Sequence, residues 1–293
     1  MTHSGIPIPK LRGELTPVYR PSGDLYRGEE TEKLQPRKYY PHWGVGGFSA
    51  ARFEDGFVLF GMTQPITAED GEDFYWQLFR AESPADSLKK LIQGGVFLDR
   101  EKLLYPIARP DEPSEIHHPF CGTFRGKWHL LYGPRVLREV SAGQPQFPYG
   151  GVPLFSSQAP VDYPFLFPMT EDRMLLIFCE GNAIKYRITE DMRQFSPVYT
   201  LQTSPFRNTT CAYPALIRRN GIFYLFWNIA EDGIPDDRAL VFAAEELNAF
   251  EGAPPLTVLS AKCPRPMVDE TGEYLLATLP GGTGVGMAQI EWR

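Results

Sequence analysis

The feature that most constrains this chain is a unit that recurs about every fifty residues. Its clearest copy is Asp162 to Pro197, DYPFLFPMTEDRMLLIFCEGNAIKYRITEDMRQFSP. DYPFLFP is an aromatic, apolar run ended by the turn-like MTED, and RMLLIFCE is a continuous apolar run ended by GN. AIKYRI alternates apolar and polar residues, as a half-buried strand does. Three short strands joined by tight turns make an antiparallel meander. Similar stretches start near Phe48, His117, Thr210 and Cys263, each with a polar turn (EDG, FRG, RNG, ETG) before an aromatic-aliphatic strand. Four copies carry a proline early in the first strand, at Pro119, Pro164, Pro214 and Pro266, spaced 45, 50 and 52 residues apart. That period, with about four strands per unit, predicts an all-β fold: a five-bladed β-propeller of four-stranded antiparallel blades.

A blade buries its faces only against neighbouring blades, so residues 1–293 are expected to form one domain. The blades fall at about 43–100, 115–157, 162–204, 210–259 and 262–293. Residues 1–40 read as a strap, with a strand within Glu14 to Arg20 expected to complete the last blade. SPADSLKKLI has the pattern of a helical turn. The chain is 43% hydrophobic and 13% aromatic, and its 28 prolines and 27 glycines suit a turn-rich β protein. A net charge of −7 argues against a nucleic-acid partner. The opening MTHSGIPIPKLRG has no apolar leader core, and no run is long enough for a membrane span. Cys121, Cys179, Cys211 and Cys263 lack CxxC spacing and read as reduced thiols, so the expected location is cytoplasmic.

In such a meander, residues before each first strand and after each second strand converge on one funnel. That places Gly46, Gly47, Glu115, His117, His118, Asp162, Tyr163, Tyr213 and Arg265 beside Met62 to Gln64, Arg135, Glu180, Asn228 and Thr278. Converging carboxylates, histidines and arginines make this the expected site. Trp43, in the lead into the first blade, is a candidate to stack on a sugar ring; Trp227 reads as core. No spacing is diagnostic of a metal, so neither a metal nor a cofactor is expected. GGTGVG at Gly281 to Gly286 follows no βαβ unit and reads as a blade loop.

AYPALIRRNGIFYLFWN, AIKYRITEDMRQF and the closing CPRPMVDETGEYLLATLPGGTGVGMAQIEW resemble blades of the five-bladed propeller glycoside hydrolases, families 32, 43, 68, 117 and 130 among them. The resemblance spans residues 43 to 293. It implies glycosidic-bond cleavage by paired carboxylates. In family 43 the acid stands two residues before the blade-three proline, which Asp162 matches with a shorter side chain. The blade-one base corresponds to the neighbourhood of Gly47, where no carboxylate stands. Phe120 follows Pro119 where the tuning aspartate would be sought. The candidate catalytic set is therefore Asp162 with Glu180 or His118, and His117, Glu115, Arg135, Tyr213, Asn228, Arg265 and Trp43 are candidates for substrate binding. The expected partner is a carbohydrate or small-molecule substrate. The readings left open are a glycosidase with a remodelled acid/base set, a lyase, isomerase or cyclase on the same scaffold, and a catalytically silent sugar-binding propeller.

Overall fold

A computed structural model describes residues 5–21, 43–65, 77–104, 117–133, 137–143, 152–155, 159–232 and 234–293. Its strands form five four-stranded antiparallel sheets, the blades of a β-propeller. Blade one holds β2 (Trp43–Phe53), β3 (Gly56–Pro65), β4 (Gln77–Ser83) and β5 (Leu98–Leu104). Blade two holds β6 (His117–Phe124), β7 (Lys127–Gly133), β8 (Arg138–Ala142) and β9 (Val152–Pro153). Blade three holds β10 (Val161–Thr170), β11 (Arg173–Glu180), β12 (Ala183–Thr189) and β13 (Tyr199–Thr203). Blade four holds β14 (Thr209–Arg219), β15 (Ile222–Glu231), β16 (Ile234–Ala244) and β17 (Thr257–Ser260). Blade five holds β18 (Lys262–Asp269), β19 (Gly272–Thr278) and β20 (Val285–Trp292), and β1 (Pro9–Tyr19) adds its outermost strand.

β1 runs antiparallel to β20, from Pro9 opposite Trp292 to Tyr19 opposite Val285. It begins five residues before the segment in which the sequence places a closing strand. Paired backbone bonds between Ile8 and Arg293 extend the closure. A short helix, α1 (Leu88–Ile92), lies between β4 and β5 and packs against β1 and β19 of blade five, with Leu88 and Leu91 buried. The Leu88 N–H donates to Asp269 Oδ2 at 2.6 Å, tying blade one to blade five across the seam.

Second strands read as unbroken apolar runs because blades sandwich them on both faces. Met174 to Cys179 and Phe223 to Asn228 are all buried. Trp227 is fully buried and stacks on Phe242 with 5.9 Å between ring centroids, as a core residue does. The hairpin between β14 and β15 turns on Asn220 and Gly221, both at positive φ (47° and 86°). Two successive left-handed residues are what a tight hairpin with the sheet's own twist requires, hence Asn-Gly. All four cysteines are buried and unpaired. Among the described residues, no helix is long and apolar enough to cross a membrane.

Candidate active site

Each innermost strand carries the same irregularity at the same place. Val45 to Phe48 takes three steps while its partner strand takes two, from Thr63 to Gly61. The same three-against-two count recurs at His117 to Phe120, Asp162 to Phe165, Ala212 to Ala215 and Lys262 to Arg265. One extra residue per blade is a β-bulge, a device that re-aims a side chain beside a site. Five bulges at one level place Gly46, His118, Tyr163, Tyr213 and Cys263 in equivalent positions around the channel. The next residues are Gly47, Pro119, Pro164, Pro214 and Pro264, so blade five's equivalent proline is Pro264, not Pro266. Its CPRP offers two prolines, and the register selects the first. His118, Tyr163, Tyr213 and Cys263 have φ of 50°, 54°, 52° and 53°. Left-handed backbone outside glycine costs on the order of 1–3 kcal/mol per residue and concentrates at functional sites.

Three of these side chains meet. The His118 ring stacks on Tyr163 with centroids 4.0 Å apart and meets the Tyr213 ring edge-on at 5.2 Å. Tyr163 and Tyr213 touch edge to face at 4.8 Å. Asp162 joins them, with its Oδ2 2.9 Å from His118 Nδ1. Its Oδ1 accepts the Tyr163 N–H at 2.7 Å. Both groups of the pair are partly exposed at the channel mouth, the His118 side chain 15% and that of Asp162 21%. The His118 N–H donates to Met62 Sδ at 2.9 Å, which ties blade two to blade one.

Two glycines make this packing possible. A Cβ on Gly133 would stand 2.5 Å from Asp162 Oδ1. One on Gly47 would stand 2.9 Å from His118 Cδ2 and 3.1 Å from Tyr213 Cε1. Blade one therefore presents bare backbone where the other blades present side chains.

Burial governs the neighbouring acids. Burial first, then the Asp162 charge, pushes the Tyr163 phenol far above its ordinary value. Burial, with the Cys263 thiol and Tyr163 beside it, does the same for Tyr213. Burial and then the nearby Cys211 thiol raise Cys179, which pairs across the ladder with Asp162. Phenols and thiols here stay neutral at physiological pH.

Other candidates are placed differently. Glu180 pairs with Val161, one step along from the Asp162–Cys179 pair. Successive strand residues point to opposite faces, so the two blade-three carboxylates do not converge. Glu180 is instead bound to Lys185 on β12. Arg265 is 3% exposed; its Nε donates to the Phe48 carbonyl at 2.9 Å and its Nη1 to the Pro214 carbonyl at 3.0 Å. It pins blades one, four and five together beneath Tyr213 rather than offering a clamp to a ligand. Asn228 is fully buried, with Nδ2 2.8 to 3.1 Å from the Ala261, Arg238 and Asp236 carbonyls and Oδ1 accepting the Cys263 N–H at 3.0 Å. Its hydrogen-bonding capacity is used up in joining blade four to blade five. Asn228→Ala would strand the Cys263 N–H and these carbonyls. It is expected to cost about 3 kcal/mol, read as a lower urea midpoint with an unchanged slope. The backbones of Trp43 and His117 open β2 and β6; their side chains, and all of Glu115 and Arg135, lie outside the described residues. Among the described residues, no group of three or more His, Cys, Asp or Glu is arranged to hold a metal ion.

An Asp–His pair beside the bulges at one end of a five-bladed channel defines the class of scaffold: a β-propeller with one polar end. Comparison with solved structures narrows the fold further, to that of the five-bladed propeller glycoside hydrolases. A thermostable family-43 glycoside hydrolase matches with a TM-score of 0.61 at 11% identity, over 86% of this chain and 90% of that one. The GH43_1 enzyme from Xanthomonas citri complexed with xylotriose matches with a TM-score of 0.62 at 14% identity, over 85% and 87%. A structure from the GH130 family of mannoside phosphorylases, which contains glycoside hydrolases that target β-1,2 mannosidic linkages in Candida mannan, matches at 0.62 and 13%, over 99% and 95%. No family model matches the sequence, and no curated protein does.

Proposed function

We propose that this protein is a glycoside-hydrolase-like enzyme acting on a small glycoside or oligosaccharide, with Asp162 and His118 as its acid–base pair. The observation that carries the reading is their 2.9 Å contact at the mouth of the channel. The bulges of blades two and three set it, on the fold that glycoside hydrolases use. Hydrolysis needs a proton delivered to the leaving oxygen as the anomeric bond breaks and a proton removed from the attacking water. Tyr163 and Tyr213 add neutral donors and aromatic faces beside the pair. The matched structures make xylosides and β-1,2-mannosides the first compounds to try, in a panel of aryl glycosides and oligosaccharides assayed for released reducing sugar. Turnover abolished by Asp162→Asn supports the reading. Turnover that survives this change, or none across the panel, sinks it.

A second reading is favoured by the turn of Glu180 away from Asp162. A histidine between two phenols and one carboxylate also suits proton abstraction by a lyase or isomerase acting on a small molecule. It would show as a product with an added double bond or a moved carbonyl and no water incorporated.

A further inference from the structure

The channel has a second end, opposite Asp162 and His118, where the chemistry is different. Asp162 and Met169 are seven residues apart on β10, roughly 20 Å at the rise of an extended strand. Between those levels Phe120 meets Phe165 with ring centroids 5.0 Å apart, and the Arg265 guanidinium lies 5.8 Å from the Phe165 ring. Beyond them, β10, β14 and β18 border a cavity of about 460 Å³, joined by Phe223 of β15. That volume lies within the range of small-molecule sites. Phe167, Leu216 and Phe223 form buried walls. Met169 and Val268 stand at the rim, 36% and 60% exposed, and carry the apolar surface out to solvent, where a chain can enter.

Among the described residues, Arg218 is the one lining residue with a polar side chain; every other is apolar. A sugar or nucleotide laid against such walls would leave its polar groups unpaired, so the occupant needs an apolar body. Arg218 supplies a charge that no described carboxylate neutralises, its guanidinium lying 5.1 Å from the Phe223 ring centroid. Other arginines at this end are partnered: Arg125 with Asp172 at 3.3 Å, Arg173 with Glu190 at 2.9 Å and Arg219 with Glu273 at 3.2 Å. We propose that this end of the channel binds a free medium-chain carboxylate, its alkyl chain in the apolar trough and its head group on Arg218. The planar guanidinium presents paired donors that match the two oxygens of a carboxylate.

Binding is read without turnover, so this site is tested independently of the acid–base reading. The measurement is isothermal titration calorimetry of the full chain with hexanoate, octanoate and decanoate, each below its micellar concentration. Saturable one-site binding that tightens about fourfold with each added methylene is the expected result. Octanol, with nearly the same chain and no charge, should bind several-fold more weakly than octanoate. Arg218→Gln should erase that difference. Val268→Asp, which places a like charge on the rim, should weaken the carboxylates more than the alcohol. Both positions are exposed, so both variants are expected to fold. No saturable binding to the native protein, equal binding of octanoate and octanol, or affinities untouched by both substitutions overturns the proposal.

Discussion

Replacing His118 by alanine is expected to lower kcat/KM by about two to four orders of magnitude, the range that a general acid or base contributes, while the protein stays folded. The imidazole is partly exposed and is not part of the apolar core. Its removal leaves a space whose walls include Asp162, Tyr163, Tyr213 and Gly47. Two further observations separate a chemical role from a packing role. Free imidazole should enter that space and restore part of the rate in His118→Ala, with a pH dependence that follows the added base. The same addition should do nothing for Asp162→Asn, where the imidazole is still present and leaves no space to fill. Full activity in His118→Ala, or a loss matched by a lowered melting temperature and unrescued by imidazole, would remove the residue from the chemistry.

The second large effect is on stability and lies in blade two. His129 Nδ1 stands 2.6 Å from Glu139 Oε1, and the two side chains are 6% and 2% exposed. Taking one partner from a buried, hydrogen-bonded pair leaves the other without compensation, at a cost of about 3–5 kcal/mol. His129→Leu is therefore expected to shift the urea midpoint sharply downward. Glu139→Leu alone should be comparably damaging. The double substitution should recover most of the loss, because two leucines bury no polar group. Chemical denaturation of the four proteins completes the cycle. Additive losses in the double variant would show that the contact carries no coupling.

Much of the fold was legible because each blade's second strand is squeezed between neighbours, which imposes an apolar run too regular to miss. RMLLIFC and IFYLFW are such runs, and the turns between strands supplied the period. The proline count was less secure: Pro264 and Pro266 stand two apart, and only the bulge register tells them apart. Asp162, Tyr163, His118 and Tyr213 could be named from their places beside the blade prolines. Glu180 could not be oriented relative to Asp162, since the bulge in β10 shifts the register that pairs the two strands and no local signal says so. Arg265 and Asn228 are polar residues in the right sequence positions, but their partners are backbone carbonyls on other blades, which a sequence does not display. Gly133 went unremarked, and Gly47 was named only as a funnel position lacking a carboxylate, because their contribution is the absence of a side chain.

Gly47 carries a consequence for how such a channel can change its chemistry. The His118 and Tyr213 rings fill the volume that a blade-one side chain would otherwise enter. A carboxylate from blade one and an imidazole from blade two are thus alternative tenants of one space. Gly47→Asp would displace the histidine before it supplied a working acid. Passing from one arrangement to the other takes coordinated changes on at least two blades, because a side chain at position 47 meets the His118 and Tyr213 rings. A propeller that has adopted the histidine is held there by sterics.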